Sequence, residues 1–330
     1  MDEGDRPVMN HPAPKFDVLC AGLVVADFVG APIAAMPASG SLVTTPRIEL
    51  AIGGSAANVA VDLAKLDLRV GIAALIGEDW LGHFVRDALQ RDGVHCDHLE
   101  TTASAQTSST LIVNVQGEDR RFIHAVGANA EFTGESLTRE ALRECRILCV
   151  GGFALNPKLS GENIRRAFQI ARELGVTTVL DVVISDPAPA WEMLQLVLPE
   201  TDLFLPNQDE GRMLLGIDDP REQARRFSAA GAKTVIVTQG SKGSILFEGH
   251  QMWEAAAFPV EQVDGTGGGD AFVAGYLYGL LKNATATECL AYGAAMGASC
   301  VRAAGATTSV FRREELEEYV RNHRLECRLI

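Results

Sequence analysis

The chain has 330 residues, 29 Lys+Arg against 43 Asp+Glu, a formal net charge of −14, and 47% hydrophobic against 22% charged residues. That apolar content excludes a disordered chain and suffices for one large α/β domain or two smaller ones. The acidic balance argues against non-specific nucleic-acid binding, which needs a basic face to displace counterions, but leaves room for a local anion site built from oriented backbone N–H groups.

The first residues, MDEGDRPVMNHPAPKF, are polar and acidic, without the basic start and apolar run of a signal peptide. No later stretch approaches the ~20 consecutive apolar residues of a bilayer span. The expected compartment is the cytoplasm, with no membrane partner. Phe16 to Val25 reads as a first buried strand, and Ser55 to Leu66 as a helix with Ser55 as N-cap and Val59, Leu63 and Leu66 on one face. Val70 to Ile76 is apolar on both parities, as a parallel strand covered on both sides should be. Trp80, Leu81, Phe84, Val85 and Leu89 mark the next helix. The alternation continues with strand Ile147–Val150, helix Asn163–Leu174, strand Thr177–Val182, helix Trp191–Leu198, strand Leu203–Leu205, helix Arg221–Ala229 and strand Thr234–Val237. This predicts a doubly wound α/β fold, a mostly parallel sheet with helices on both faces.

Two segments break the pattern. Leu42–Ile52 and Thr107–Val126 read as strands without helices between them, the second turning at Gly117-Glu118-Asp119. They predict a small β lid at about 42–52 and 107–126. No internal repeat or low-complexity linker divides the chain, so a single domain over 1–330 is expected. The 7 Cys contain no CxxC pair, and Cys145 and Cys149 read as buried reduced thiols; the 7 His contain no HExxH, so no zinc site is expected.

The most informative stretch is Asp264-Gly265-Thr266-Gly267-Gly268-Gly269-Asp270, between a strand-like run, Phe258–Val263, and an apolar helix, Ala271–Leu281. Three glycines at a helix start leave amides uncovered, and the helix dipole adds partial positive charge there. A carboxylate directly after such a cradle would repel a merely bound phosphate. It makes sense facing a hydroxyl whose proton it takes as the oxygen attacks phosphorus. The alternative is an N-cap beside a tight turn. The loop is neither GxxxxGK[ST] nor GxGxxG, and a second helix, Ala286–Val301, follows it, so P-loop and dinucleotide readings are disfavoured.

From about Asp17 to about Ser309 the chain resembles the ribokinase-like (PfkB) carbohydrate kinases. The motifs come in the expected order: Gly53-Gly54-Ser55-Ala56-Ala57-Asn58, Gly77-Glu78-Asp79-Trp80-Leu81-Gly82, Asn207-Gln208-Asp209-Glu210, Thr238-Gln239-Gly240-Ser241-Lys242-Gly243, and Asp264 to Asp270. The resemblance implies an ATP-dependent kinase phosphorylating an alcohol of a sugar or nucleoside. Asp270 would be the base, with the amides of Gly267, Gly268 and Gly269 as anion hole. Asp27, Gly53, Gly54 and Asn58 would hold the acceptor. Asn207 and Glu210 would organise Mg²⁺ through waters, or simply cap a helix, or both. Thr238, Gly240 and Gly243 would border ATP. A K⁺ ion would sit among Asp264, Thr266, the carbonyls of Cys300, Ala303 and Gly305, and Ser309. Loops around Gly127-Ala128-Asn129 and Gly152–Asn156 would select the acceptor, with Asn129 a candidate contact.

Departures from the family pattern are informative. Gly265 and Gly268 replace the usual Thr and Ala, and Ala294 stands where many members place Asn near the purine. Ser55 stands where phosphosugar kinases often place Lys, whereas Arg120 and Arg121 keep a phosphorylated acceptor in view. The lid, with unpaired edges, implies a homodimer through paired lids. Two other readings stay open: a non-catalytic sensor of nucleotide or sugar, and a kinase of vitamin-like hydroxymethyl compounds, against which the lid strands argue.

Overall fold

The computed structural model describes residues 14–118 and 120–330. The acidic N-terminal stretch and Asp119 of the expected lid turn lie outside the described residues. The chain opens with β1 (Phe16–Gly22), β2 (Val25–Gly30), β3 (Ile48–Gly53), α1 (Ser55–Lys65), β4 (Val70–Gly77), α2 (Trp80–Arg91) and β5 (His95–Thr102). Next come β6 (Ser109–Val113), β7 (Arg121–Ala125), α3 (Arg139–Arg143), β8 (Cys145–Phe153), α4 (Gly161–Glu173), β9 (Thr177–Val182), α5 (Pro187–Val197) and β10 (Leu203–Phe204). The C-terminal part holds α6 (Gln208–Leu215), α7 (Pro220–Ala229), β11 (Thr234–Thr238), β12 (Ser244–Glu248), β13 (Gln251–Ala255), α8 (Gly268–Leu281), α9 (Ala286–Cys300), α10 (Arg313–Asn322) and β14 (Cys327–Leu329).

Ten strands form the main sheet, in the order β14-β13-β12-β11-β10-β9-β8-β1-β4-β5. From β11 to β5 the neighbours are parallel, and β12, β13 and β14 complete one edge antiparallel. Every residue of β4 is buried, as the unbroken apolar run requires. One apolar cluster joins the sheet to α1, α8 and α9, and a second fills the opposite face beneath α4, α5 and α7. This is the predicted doubly wound architecture. The seven cysteines are free thiols, Cys145 and Cys149 among the buried ones.

A separate four-stranded sheet, β3-β2-β6-β7, forms the lid. The long first strand expected over Phe16–Val25 is two strands: β1 stays in the main sheet and β2 belongs to the lid. Leu23, Val24 and Val25 are buried throughout, so apolar patterning carried no sign of the break. Residues 42–47 of the expected lid strand lie outside β3. Gly54, rather than Ser55, is the N-cap of α1. The run Phe258–Val263 is not a strand.

Asp62 on α1 is fully buried, and neither carboxylate oxygen has a hydrogen-bond partner among the described residues. Burial pushes its pKa well up, Lys65 pulls it down, and Asp270 adds repulsion. A carboxyl whose folded pKa is raised binds a proton that the unfolded chain has already released, so stability falls as pH rises above the unfolded value. We expect Asp62→Asn to flatten this dependence and to melt higher than the parent at pH about 8. Urea denaturation at acid and alkaline pH measures both; a slope unchanged by the substitution would contradict the assignment.

Candidate active site

The glycine-rich loop enters α8 through Gly267, whose left-handed backbone (φ 76°, ψ −2°) places it as N-cap. A side chain there is disfavoured by conformation and by space, because a Cβ would lie 2.4 Å from the Ala306 carbonyl oxygen. The helix starts at Gly268, earlier than predicted, so Gly268, Gly269 and Asp270 form its first turn. The Gly268 amide donates to the Gly265 carbonyl at 3.3 Å, which corrects the expectation of three open amides. Among the described residues, no group accepts from the amides of Gly267 or Gly269.

Asp270 lines a cleft with Ser55, Asp181, Asn207, Glu210, Thr238, Gly267 and Gly269. Its Oδ2 accepts from Asn58 Nδ2 at 2.8 Å, and the Ser55 hydroxyl also donates to it. Burial pushes its pKa up to about 6, while these two hydrogen bonds pull it down. The result suits a base working near neutral pH. The contact joins the first turn of α8 to the first turns of α1, which is why the GGSAAN and GTGGGD motifs, distant in sequence, make one site.

Asp27 stands on the lid strand β2, opposite Thr110 of β6 and Ala51 of β3. It is 9% exposed. Burial pushes its pKa up to about 6 against a hydrogen bond from the Thr110 hydroxyl. Thr110 Oγ1 in turn lies 3.1 Å from His124 Nδ1 on β7. Gly53 ends β3 against this carboxylate: a Cβ there would lie 1.9 Å from Asp27 Oδ2. Asn129 is a correction. It is fully buried, its Nδ2 donates to the Val24 carbonyl at 3.0 Å, and its Oδ1 accepts from the Val24 amide at 3.4 Å. Its amide pins the start of β2 and is not presented to an acceptor.

Across the cleft, Asn207 and Glu210 form a capping box on α6, with Asn207 N donating to Glu210 Oε2 at 2.8 Å and Glu210 N to Asn207 Oδ1 at 2.9 Å. Burial raises Glu210 to about 7, opposed by that backbone hydrogen bond and helped by repulsion from Asp270. Asp181, at the end of β9, is also pushed well up, by burial and then by Asp270 and Glu210. Sequence patterning passed over this residue, although a lone acid at the carboxyl end of a buried parallel strand marks where ligands bind in such sheets. Asp270 thus pushes up both Asp181 and Glu210, and Glu210 pushes up Asp181, a clustering of carboxylates that favours a bound cation. Carboxylate oxygens spread around the cleft would suit a hydrated Mg²⁺, which keeps several of its waters. Thr238 ends β11 beside Asn207, and Gly240 and Gly243 bound the short turn that follows.

Several of the expected K⁺ ligands come together, and protein groups already hydrogen-bond to Asp264 and to the carbonyls of Thr266 and Cys300. Asp264 accepts from Thr266 N at 2.9 Å, Thr266 Oγ1 at 2.7 Å and Gly305 N at 3.0 Å, and it pairs with the Arg120 guanidinium. Cys300 Sγ donates to the Thr266 carbonyl at 3.3 Å, and Ser309 Oγ donates to the Cys300 carbonyl at 2.7 Å. Ala303 lies on the turn between Cys300 and Gly305. The carboxylate that the resemblance gives to K⁺ thus already has a protein cation, Arg120, against it.

The pfkB family carbohydrate kinase profile matches residues 15–312. The chain belongs to this family. It is 29% identical to the ribokinase of Haemophilus influenzae, over 85% of this chain and 91% of that one. It is 24% identical to the 5-dehydro-2-deoxygluconokinase of Geobacillus kaustophilus, over 83% and 85%. Arabidopsis thaliana ribokinase, solved with ribose and ATP, superposes with a TM-score of 0.80 at 25% identity, covering 93% of this chain and 98% of that one. An Escherichia coli protein described as a ribokinase II, solved with ATP and Mg²⁺, superposes with a TM-score of 0.80 at 23% identity, over 93% and 100%. Its family is one of carbohydrate kinases.

A base must be ionised to accept a proton. With Asp270 near 6, kcat/KM is expected to hold above pH about 7 and to fall as pH drops through 6. A pH–rate profile checks this; a flat profile down to pH about 5 would remove Asp270 as the titrating base.

Proposed function

We propose that this pfkB-family kinase transfers the γ-phosphoryl group of ATP to a hydroxyl of a sugar, with nucleosides as the next acceptor class. The supporting observation is the Asp270 carboxylate held by Asn58 at the first turn of α8, beside the amides of Gly267 and Gly269. The acceptor hydroxyl would lie against Asp270, which takes its proton as the oxygen attacks phosphorus. The two amides and the positive end of α8 would stabilise charge on the transferring oxygens. Asp27, opposite on the lid, would accept hydrogen bonds from sugar hydroxyls. Gly53 and Gly54 would let the acceptor approach the backbone, and Asn58 would position both acceptor and base.

Asn207, Glu210 and Asp181 would hold hydrated Mg²⁺, which neutralises phosphate charge when bound. Thr238, Gly240 and Gly243 would border the ATP phosphates and ribose. Relatives named ribokinase and 5-dehydro-2-deoxygluconokinase support a sugar or keto-deoxy sugar acid as acceptor. The place of work would be the cytoplasm, where free thiols stay reduced.

Asp270→Asn should retain ADP affinity while lowering kcat by about 10²–10⁴. ADP release over a panel of ribose, 5-dehydro-2-deoxygluconate and nucleosides reads both acceptor and variant. Turnover of the variant at the parent rate would contradict the role.

The dimer belongs to this reading. Ile48, Leu111 and Ile123 share the lid face opposite Asp27 and leave an apolar surface there, with Ile48 63% and Ile123 65% exposed. A second lid would cover it. Light scattering should give a dimer for the parent and a monomer for Leu111→Asp/Ile123→Asp; a monomeric parent would end this part of the proposal.

A further inference from the structure

Among the described residues, the Arg120 side chain links the lid to the phosphate loop. Arg120 directly precedes β7, in the β6–β7 connection, and its Nη1 pairs with Asp264 Oδ1. Both side chains are largely shielded, at 23% and 17% exposure. The guanidinium carbon also lies 5.5 Å from the centre of the Phe122 ring, an arrangement that favours a cation. The same Asp264 oxygen accepts both hydrogen bonds from Thr266, the residue just before the Gly267 cradle. The Arg120 charge therefore falls on the carboxylate that holds the loop in shape.

Gly265 supplies a second, independent observation. A Cβ at this position would lie 3.7 Å from Arg120 Nη2 and 3.0 Å from Gln262 Nε2. A methyl would sit tightly against the end of the Gln262 side chain and in ordinary contact with the guanidinium, and a Thr would extend two further heavy atoms from that position. The Gly at 265, where the family usually has Thr, opens the space that the arginine fills.

We propose that Arg120 takes the place of a monovalent cation at the phosphate loop, so that this kinase needs no K⁺. Its guanidinium neutralises Asp264 and through it fixes Thr266 and the cradle amides. Arg120 is thus a positioning residue. Its meaning for catalysis rests on the proposed function; its effect on the loop does not.

The test compares the parent, Arg120→Ala and Gly265→Thr in buffer with tetramethylammonium as the sole monovalent cation, then with K⁺ substituted at equal ionic strength. Two readouts are taken: the melting temperature with Mg²⁺ and ADP, and kcat/KM with an acceptor. The parent should respond to K⁺ by less than about twofold in rate and show no melting shift. Both variants should lose about 10–100-fold in rate, the effect of a lost hydrogen bond to a charged group. K⁺ should then restore rate and raise melting temperature in the variants, where tetramethylammonium does not. A parent that needs K⁺, or an Arg120→Ala protein indifferent to it, would overturn the inference. If no acceptor turns over, the melting shifts still decide the role of Arg120, and the missing turnover counts against the proposed function alone.

Discussion

One contact governs the arrangement: the hydrogen bond from Asn58 to the carboxylate of Asp270. It places a partly desolvated acid at the positive end of a helix that is itself buried. Burial opposes ionisation, whereas the helix dipole and two hydrogen bonds favour it. The balance near neutrality exists only while α1 and α8 stay packed against each other. Small residues on α1, Ala56, Ala57 and Ala60 among them, are fully buried in that packing. The sheet beneath supplies Asp181 and Thr238 at its carboxyl ends, so nearly every part of the cleft depends on the layer order of the fold.

Charge is the second theme. The cleft gathers Asp181, Glu210 and Asp270, and Asp62 lies buried close enough to be felt by Asp270. Such clustering is costly in an empty protein and becomes favourable when cations arrive. The overall charge of −14 is thus not only a surface property.

Much of this was readable in the residues. The buried parallel strands announced themselves by runs with no polar parity, and the GTGGGD loop by an acid placed where an anion should go. Other features left no comparable trace. The passage from β1 to the lid strand β2 is apolar throughout, so nothing in the pattern separates them. Antiparallel β12 and β13 carry no helix between them to mark their ends. Asn129 looked like a loop ligand because an amide in a Gly-Ala-Asn turn is equally suited to tying down a backbone, and only packing against Val24 decides which. Asp181 was visible as a lone acid at a strand end, yet its meaning came from neighbours distant in the chain. The Arg120–Asp264 pair joins residues 144 positions apart, a separation that composition and periodicity do not encode.

The location of Asp27 on β2 has a mechanical consequence. In the proposed reaction one hand that grips the sugar is part of the door. β2 continues from β1 with only two residues between them, so the grip is anchored to the rigid sheet at one end and rides with the lid at the other. Letting the phosphorylated product go would then require peeling a strand away from its ligand. The pace of the cycle would be set by how readily that sheet flexes, more than by how quickly phosphorus changes partners.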